Sequence, residues 1–404
     1  MEFYKEITFK ETPIGKIPTQ WSVIKLREVL QFKNGERPRI SEDGNVPVFG
    51  ANGIMGYTND FLVDNDFSLI VGRVGASGEV HLGEGKIWVS DNAIYSKSYD
   101  RAKVHLKYLF YSLKHRKLSQ FASKTTHPII TQTFLNNFSV GLPPLSEQEK
   151  IVEVLSVVDL AIQKTDEIIA KTERLKRGLM QTLLTKGIGH KEFKETPIGK
   201  IPKTWKVVRL GDVAKLESGG TPSRQKPEYW KNGTIPWVKS GELNDDILYD
   251  TEEKISIQGL KNSNAKIFPK GTLLIALYGR GTVSKTAILG INAATNQAVA
   301  AITPVNNSFD PKFMQQYLIF SRNRLLTQTV NPSSDVGRTN IYLGSLKLLK
   351  IVLPPINEQR KITEILSPIN EKLKTERKKK ERLEKIKRGL MELLLTGKVR
   401  VKVN

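Results

Sequence analysis

Two stretches of this 404-residue chain carry residue types at spacings that could do chemistry. The run Gly279-Arg280-Gly281-Thr282-Val283-Ser284-Lys285-Thr286 resembles a phosphate-binding loop, in which backbone amides cradle a phosphate and a lysine neutralises it. Ser284 stands where such a loop needs glycine beside the lysine, and the first half of the chain has no counterpart. Asp66 followed by Glu84-Gly85-Lys86 has the ingredients of a metal nuclease, carboxylates that hold Mg2+ beside a lysine. That spacing is permissive and common by chance. The chain has no cysteine, which removes thiolate zinc sites, cysteine nucleophiles and disulfides together. Its five histidines (His81, His105, His115, His127, His190) are too scattered for a metal cluster or a nucleophilic triad. The residues argue for binding rather than for catalysis.

The partner is indicated by charge. With 63 Lys+Arg against 41 Asp+Glu the net charge is +22, which favours a polyanion: nucleic acid first, an anionic membrane surface second. No apolar run approaches the ~20 residues of a membrane span, and the start Met1-Glu2-Phe3-Tyr4-Lys5 has no signal-peptide stretch. At 39% hydrophobic the chain is globular, and the lack of cysteine fits a reducing cytoplasm.

Whatever binds must be positioned by elements that occur twice. Residues 9–18 read FKETPIGKIP, and residues 193–202 read the same, 184 positions later. The match runs on through Trp21/Trp205, Val23/Val207, Leu26/Leu210 and Val29/Val213. A second match joins 142–185 to 353–396 at an offset of 211, with Leu-Pro-Pro, Glu-Gln, KRGLM and LLT recurring in order. The chain is a tandem duplication of a unit of about 200 residues, as its length predicts. The offset climbs by 27 residues through the middle, mainly near PEYWKNGTIPWVKSGEL (227–243). Fixed ends around a variable middle suit one scaffold carrying two different recognition surfaces; drift of loops after duplication is the alternative.

Each middle mixes short apolar runs with Gly-rich turns, as in FSLIVGRVGASG (67–78) and TLLIALYGRG (272–281). Each also has one amphipathic helix candidate, at 104–118 and 311–326, so both halves read as α+β. After each Leu-Pro-Pro a long helix starts, with Ser146 and Glu149 placed for a capping box and Asn357 for a cap. Ile151, Leu155, Val158, Ile162, Thr165 and Ile169 then recur in heptad spacing. The second copy has Ile362, Leu366, Ile369 and Leu373, resuming at Leu383, Ile386 and Leu390. A helix of about 38 residues is roughly 57 Å long. Two such seams predict an antiparallel spacer pair; the alternative is two helices that each cover their own domain's core. Pro368 should kink or interrupt the second helix, and Glu376 and Lys380 break its seam. The run 371–388 is strongly basic, either a solvated face or a phosphate-facing one.

These elements together resemble the DNA specificity subunit of type I restriction–modification systems. The resemblance rests on the repeated FKETPIGKIP…W lead, the LPP-x-x-EQ helix starts and the KRGLM-x-x-LLT helix ends. NGERP (34–38), VPVFGANGIMGY (46–57), GGTPS (219–223), YW-x-x-G-x-IPW (229–237) and TNQA (295–298) look like its target-recognition domains. It implies two tandem recognition domains, 1–145 and 189–356, separated by two long antiparallel coiled-coil helices, 146–188 and 357–404, with pseudo-twofold symmetry. It further implies a subunit with no catalytic site or bound cofactor of its own. Its partners would be double-stranded DNA with a bipartite site, two methyltransferase subunits and, in a full complex, restriction subunits. S-adenosylmethionine, ATP and Mg2+ would belong to those partners.

Arg73 and Arg280, each in a Gly-flanked loop after an apolar strand, are the candidates for base contacts, with phosphate contact or a salt bridge as alternatives. Lys33, Arg37 and Arg39, and Arg224 and Lys226, flank the corresponding early loops. Trp21 and Trp205 read as core, and Trp230 and Trp237 as structural rather than stacking residues. A stand-alone Mg2+ endonuclease is the rival from another class, and a symmetric DNA-binding scaffold without a methyltransferase partner is a second. Purified chain incubated with plasmid and Mg2+ should leave the plasmid intact; robust cleavage on gel electrophoresis would overturn the non-catalytic reading.

Overall fold

A computed structural model describes residues 2–123, 128–279, 281–329 and 340–402. It has two compact units: Met1–Ile168 together with Glu376–Asn404, and Ile169–Thr375. Both are α+β, and the chain contains the two long helices, Leu145–Leu183 and Ile356–Leu395. Among the described residues no helix is long and apolar enough to cross a membrane.

The first unit contains β1 (Leu30–Asn34), β2 (Val46–Gly50), β3 (Gly53–Thr58), β4 (Val63–Gly72), β5 (Val80–Val89), β6 (Ala93–Tyr99) and α1 (Leu106–His115). Leu30 and Phe32 point into the core while Gln31 and Lys33 face out, the period-2 pattern of a half-buried strand. These strands order as β1-β6-β4-β5-β2-β3. The second unit contains β7 (Ala214–Ser218), β8 (Ile235–Val238), β9 (Asp246–Leu248), β10 (Glu253–Ile255), β11 (Ile267–Phe268), β12 (Leu273–Ala276), β13 (Thr286–Leu289), β14 (Ala293–Thr295), β15 (Val299–Pro304) and α2 (Pro311–Phe320). They form a five-stranded sheet, β7-β15-β12-β13-β9, and a four-stranded one, β10-β8-β14-β11. The series β1-β6-β4-β5 and β7-β15-β12-β13 are one frame used twice. The second helix candidate is divided, α2 being followed by Arg322–Thr329.

Both long helices begin two residues earlier than the capping residues suggested. Pro144 and Pro355 supply the first helical carbonyls, at 3.0 Å to Gln148 N and 3.1 Å to Gln359 N, so Ser146 and Asn357 lie inside the first turn. Pro368 does not interrupt its helix. It lies on the exposed face, as does Glu364, whose carbonyl loses the usual donor and can turn to water.

Within the first unit the two helices run antiparallel. Lys387 pairs with Asp159, and seven residues back Lys380 pairs at 2.6 Å with Asp166, seven residues on. Ile151 and Leu155 are fully buried in one core with Leu394, Leu395 and the inner face of α1. In the second unit Ile362 and Leu366 share a core with Met180, Leu183, Leu184 and Phe313. Leu373 is buried, whereas Val158, Ile162, Ile169, Ile369 and Leu383 are only half-buried. Ile386 is 52% exposed and leaves the seam, because Lys387 takes the inward position to reach Asp159. The seam is thus apolar where it joins a domain core and ionic between.

The Glu-Gln pair after each Leu-Pro-Pro locks helix to domain. Gln148 accepts from His105 N (2.9 Å) and donates to the carbonyls of Pro143 (2.9 Å) and Lys103 (3.0 Å). Gln359 likewise accepts from Asp310 N (2.9 Å) and donates to the Pro354 carbonyl (2.8 Å). The glutamates take the tryptophans of the repeated lead: Trp21 Nε1 donates to Glu147 (3.2 Å) and Trp205 Nε1 to Glu358 (2.9 Å). Glu147 also receives Arg400, which donates through Nε at 2.9 Å and Nη2 at 2.7 Å while Nη1 reaches Glu6 and Gln20. Arg400 lies in Val399–Val401, the strand that pairs antiparallel with Phe3–Lys5. Glu358 instead receives the Ile188 amide (3.0 Å), with His190 Nε2 at 2.8 Å. Gly187 and Gly397 close the two helices at φ +65° and +70°, and a Cβ there would strike Trp205 at 2.6 Å or Pro18 at 2.3 Å.

Glu147→Ala strips the buried Arg400 guanidinium of two hydrogen bonds and leaves Glu6 as its one carboxylate among the described residues. It should destabilise the first unit by up to about 3–5 kcal/mol. Glu358→Ala, which strands no permanent charge, should cost less. Hydrogen exchange of β4 and β12 amides against denaturant measures the two units separately, and equal losses would contradict this.

Candidate nucleic-acid interface

At one end of each sheet several loops are tied together by main-chain bonds. In the first unit the loop after β1 meets the turn before β6 through Gly35 N to Ala93 O (3.0 Å) and Glu36 N to Val89 O (2.9 Å). The β4–β5 loop joins them through Arg73 N to Asn92 O (2.8 Å), and the end of β2 through Ser90 N to Phe49 O (2.8 Å). In the second unit Gly220 N donates to Thr295 O (3.0 Å), Asn296 N to Val238 O (3.0 Å) and Leu277 N to Ala298 O (2.8 Å). The same contacts recur, one residue out of register with the sequence match of SDNA (90–93) to TNQA (295–298): Val89, Ser90 and Asn92 stand where Thr295, Asn296 and Ala298 do. Gly35 and Gly219 mark this turn, because a Cβ there would lie 2.2 Å from Ser90 O and 1.9 Å from Thr295 O.

On this frame the two loop ends carry different side chains. Arg73 is half-buried, Arg37 and Arg39 are exposed beside it on the loop after β1, and Lys33 is exposed on β1. Among the described residues none of these four makes an ion pair. The first unit therefore brings uncommitted cations to one rim.

The second unit does not. Arg224 makes a bidentate pair with Glu253 (2.6 and 2.9 Å) and stacks 3.6 Å from the Trp230 ring centre. The guanidinium holds the Glu253 carboxyl down to about 2. Lys226 Nζ donates to the Tyr229 hydroxyl at 3.1 Å, which raises its pKa. Trp230 and Trp237 meet edge to face at 5.0 Å, Trp237 being buried, so both are structural. Trp21 and Trp205 are core, at 1% and 0% exposure. Arg280 and His127 lie outside the described residues.

Sequence reasoning missed a polar pocket of about 470 Å³ beside this cluster, lined by Thr221, Ser223, Asn262, Ser263, Asn264 and Gln297. Thr221 Oγ1 donates to Gln297 Oε1, and no lining side chain is charged. The TNQA motif pointed to the turn but not to Gln297 as a rim residue.

The two catalytic patterns are spent elsewhere. Asp66 pairs with Arg101 at 2.9 Å, and Lys86 sits 4.9 Å from the Phe61 ring centre. Among the described residues no group of three His, Asp or Glu could hold a metal ion. Thr286 donates to Asp245 from both N (3.0 Å) and Oγ1 (3.1 Å), and Lys285 lies 3.6 Å from the same carboxylate.

Because Glu253 is depressed to about 2, its pair with Arg224 should persist above the ordinary carboxylate range and be lost only as pH falls through about 2. Glu253→Gln should release the loop 221–230 at neutral pH, seen as faster amide exchange there with β7 and β15 unchanged. Unaltered exchange would show that the pair does not hold the loop.

With this geometry in view, the model of the type I restriction modification DNA specificity domain matches residues 18–174 and 202–385. The type I restriction enzyme MjaVIII specificity subunit of Methanocaldococcus jannaschii is 29% identical over 430 residues, spanning 100% of this chain and 98% of that protein. The EcoR124I/EcoR124II specificity subunit of Escherichia coli is 26% identical over 273 residues, 67% of this chain and 64% of that protein. The crystal structure of the S subunit from M. genitalium superposes with a TM-score of 0.68 over 98% of this chain and 100% of its own, at 18% identity. The duplicated frame, the paired long helices and these matches agree: the chain belongs to the family of type I restriction–modification DNA specificity subunits.

Proposed function

We propose that each unit reads one half of a bipartite duplex site, with the loop end of its sheet as the reading surface. The observation that carries this is one strand frame presenting two different rims, a guanidinium-rich one at Arg37, Arg39 and Arg73 and an amide- and hydroxyl-rich one at Thr221, Asn264 and Gln297. Lysine and arginine contacts to phosphate would supply affinity, and a few side chains at base edges the sequence. The long helices would set the unread gap, placing the half-sites about one DNA turn, roughly 34–36 Å, apart. They would also dock two methyltransferase subunits. Those partners would bind S-adenosylmethionine and modify adenine after flipping it from the duplex. Restriction subunits using ATP and Mg2+ would complete the assembly. The chain itself would bind no cofactor, catalyse nothing and act in the cytoplasm. The uncommitted cations support the DNA reading, as does the net charge of +22.

Genome-wide mapping of methylated adenines with and without the gene tests the proposal. A bipartite motif should vanish on deletion. Replacing residues 30–140 by those of a relative should change one half of the motif and leave the other; a change in both halves would refute modular reading. Binding should weaken steeply with salt, with a log–log slope of about −0.9 per phosphate neutralised.

A further inference from the structure

The two units differ at one sheet edge, and the second unit shows what the first lacks. There, β9 lies parallel along the outer edge of β13, with Asp246 opposite Ala287, Ile247 opposite Ile288 and Leu248 opposite Leu289. Two ion pairs seat it: Asp246 with Lys374 of the second long helix and Asp245 with Arg322, both at 2.6 Å. The shared frame gives the matching place in the first unit. Ile94 opposite Val71 corresponds to Ala300 opposite Ile275, both pairs lying on the helix-facing side of the sheet, so Leu82 on β5 occupies the position of Ile288 on β13.

Along Val80–Lys86 no strand pairs with the outer edge of β5 among the described residues. The segment in the place of β9 is β3, which turns back on β2 instead, from Gly50 opposite Gly53 to Val46 opposite Thr58. A groove of about 520 Å³ is left, with Leu82, Phe110, Tyr111 and Leu160 among its apolar walls. Leu160 on the first long helix is 49% exposed, and Ile54, which also lines the groove, is 55% exposed. Such a cluster of exposed apolar side chains beside an unpaired strand edge is what added strands use.

Charge specifies the occupant. Lys107 and Lys114 line the groove, and neither makes an ion pair among the described residues. Asp159 also lines the groove but is paired with Lys387. Burial and Lys387 hold the Lys114 ammonium below the usual lysine range against the pull of Glu79 and Asp159, so a carboxylate on an incoming segment would be welcome beside it. Gln163, also lining the groove, stands at the repeat position of Lys374, the residue that anchors Asp246. The segment filling the equivalent slot in the second unit is acidic and apolar, Asp245-Asp246-Ile247-Leu248.

We propose that the outer edge of β5 and its groove form a docking site for an extended segment of a partner protein. That segment carries a carboxylate followed by apolar residues and adds a strand parallel to β5. This does not depend on what the loop ends read.

A labelled peptide of residues 243–250 (LNDDILYD) is a ready probe, because the full chain's own copy of that segment is already seated in the second unit. Fluorescence anisotropy with the full chain should give saturable binding, and hydrogen exchange should show new protection at Val80–Lys86. The variant Lys107→Glu/Lys114→Glu should weaken binding by about tenfold or more. Leu160→Arg, at a half-exposed helix position where folding is safe, should do the same, and a peptide with lysine at both Asp245 and Asp246 should not bind. No saturable binding, protection elsewhere, or undiminished binding to either variant would overturn the proposal. Protection of the same amides that grows with chain concentration and needs no peptide would assign the slot to a second copy and overturn it as well.

Discussion

Each unit is organised around a glutamate at the first turn of a long helix, Glu147 buried and Glu358 largely so. Glu147 and Glu358 each take the indole of a tryptophan about 126 or 153 residues earlier in the chain, and each also takes a group from just beyond the end of the other long helix. A carboxylate taken from water is costly unless its lone pairs are filled, so these contacts form together or not at all. One side chain thereby fixes the angle at which a helix leaves its domain and the place where the returning helix ends. The glutamine beside it performs the same service for the loop that leads into α1 or α2. Leu-Pro-Pro-x-x-Glu-Gln is therefore a joint, and its repetition records that two joints are needed.

The two joints are not chemically equal. Glu147 faces a guanidinium, which cannot shed its charge, and Glu6 from the paired terminal strand is drawn into the same cluster; the Arg400 contact holds the Glu6 carboxyl down to about 2. Glu358 is met by an imidazole, an indole and a backbone amide. The first arrangement ties the two ends of the chain, residues 3–5 and 399–401, into one unit by charge as well as by strand pairing. The second ties a continuous stretch of chain, where less closing force is required because fewer residues separate the parts.

What was legible in the sequence follows from which interactions are local. The duplication, the long helices and the tryptophan cores were readable, because periodicity and repeated runs are written along the chain. The helix caps lie two residues before Ser146 and Asn357, since Pro144 and Pro355 cap through carbonyls and not through side chains. Ile386 fitted the heptad yet lies outside, because Lys387 gains more from Asp159 than an isoleucine gains in a seam already half open. Arg224 looked like a free cation until Glu253, 29 residues away, was placed beside it. Strand order, and the turning back of β3 where its counterpart continues to β9, depend on pairings that no local pattern records.

The proposed reading surface stands apart from the joints because its loops meet through main-chain bonds, to which the second unit adds the Arg224–Glu253 pair. Gly35 and Gly219 approach the carbonyls of Ser90 and Thr295 more closely than any side chain permits, and main-chain bonds complete the cluster. The frame therefore asks for one glycine at a fixed place in each unit. Residues 36–39 can change without disturbing a core that is closed by Trp21 elsewhere in the unit, whereas 221–226 are also tied by Arg224 to Glu253 and Trp230. Guanidinium forks and side-chain amides match different base edges, guanine for the first and adenine for the second. Under the proposed reading, a fold that fixes its loops largely by backbone could exchange one set for the other without altering the joint, in keeping with repeat ends that match and middles that diverge.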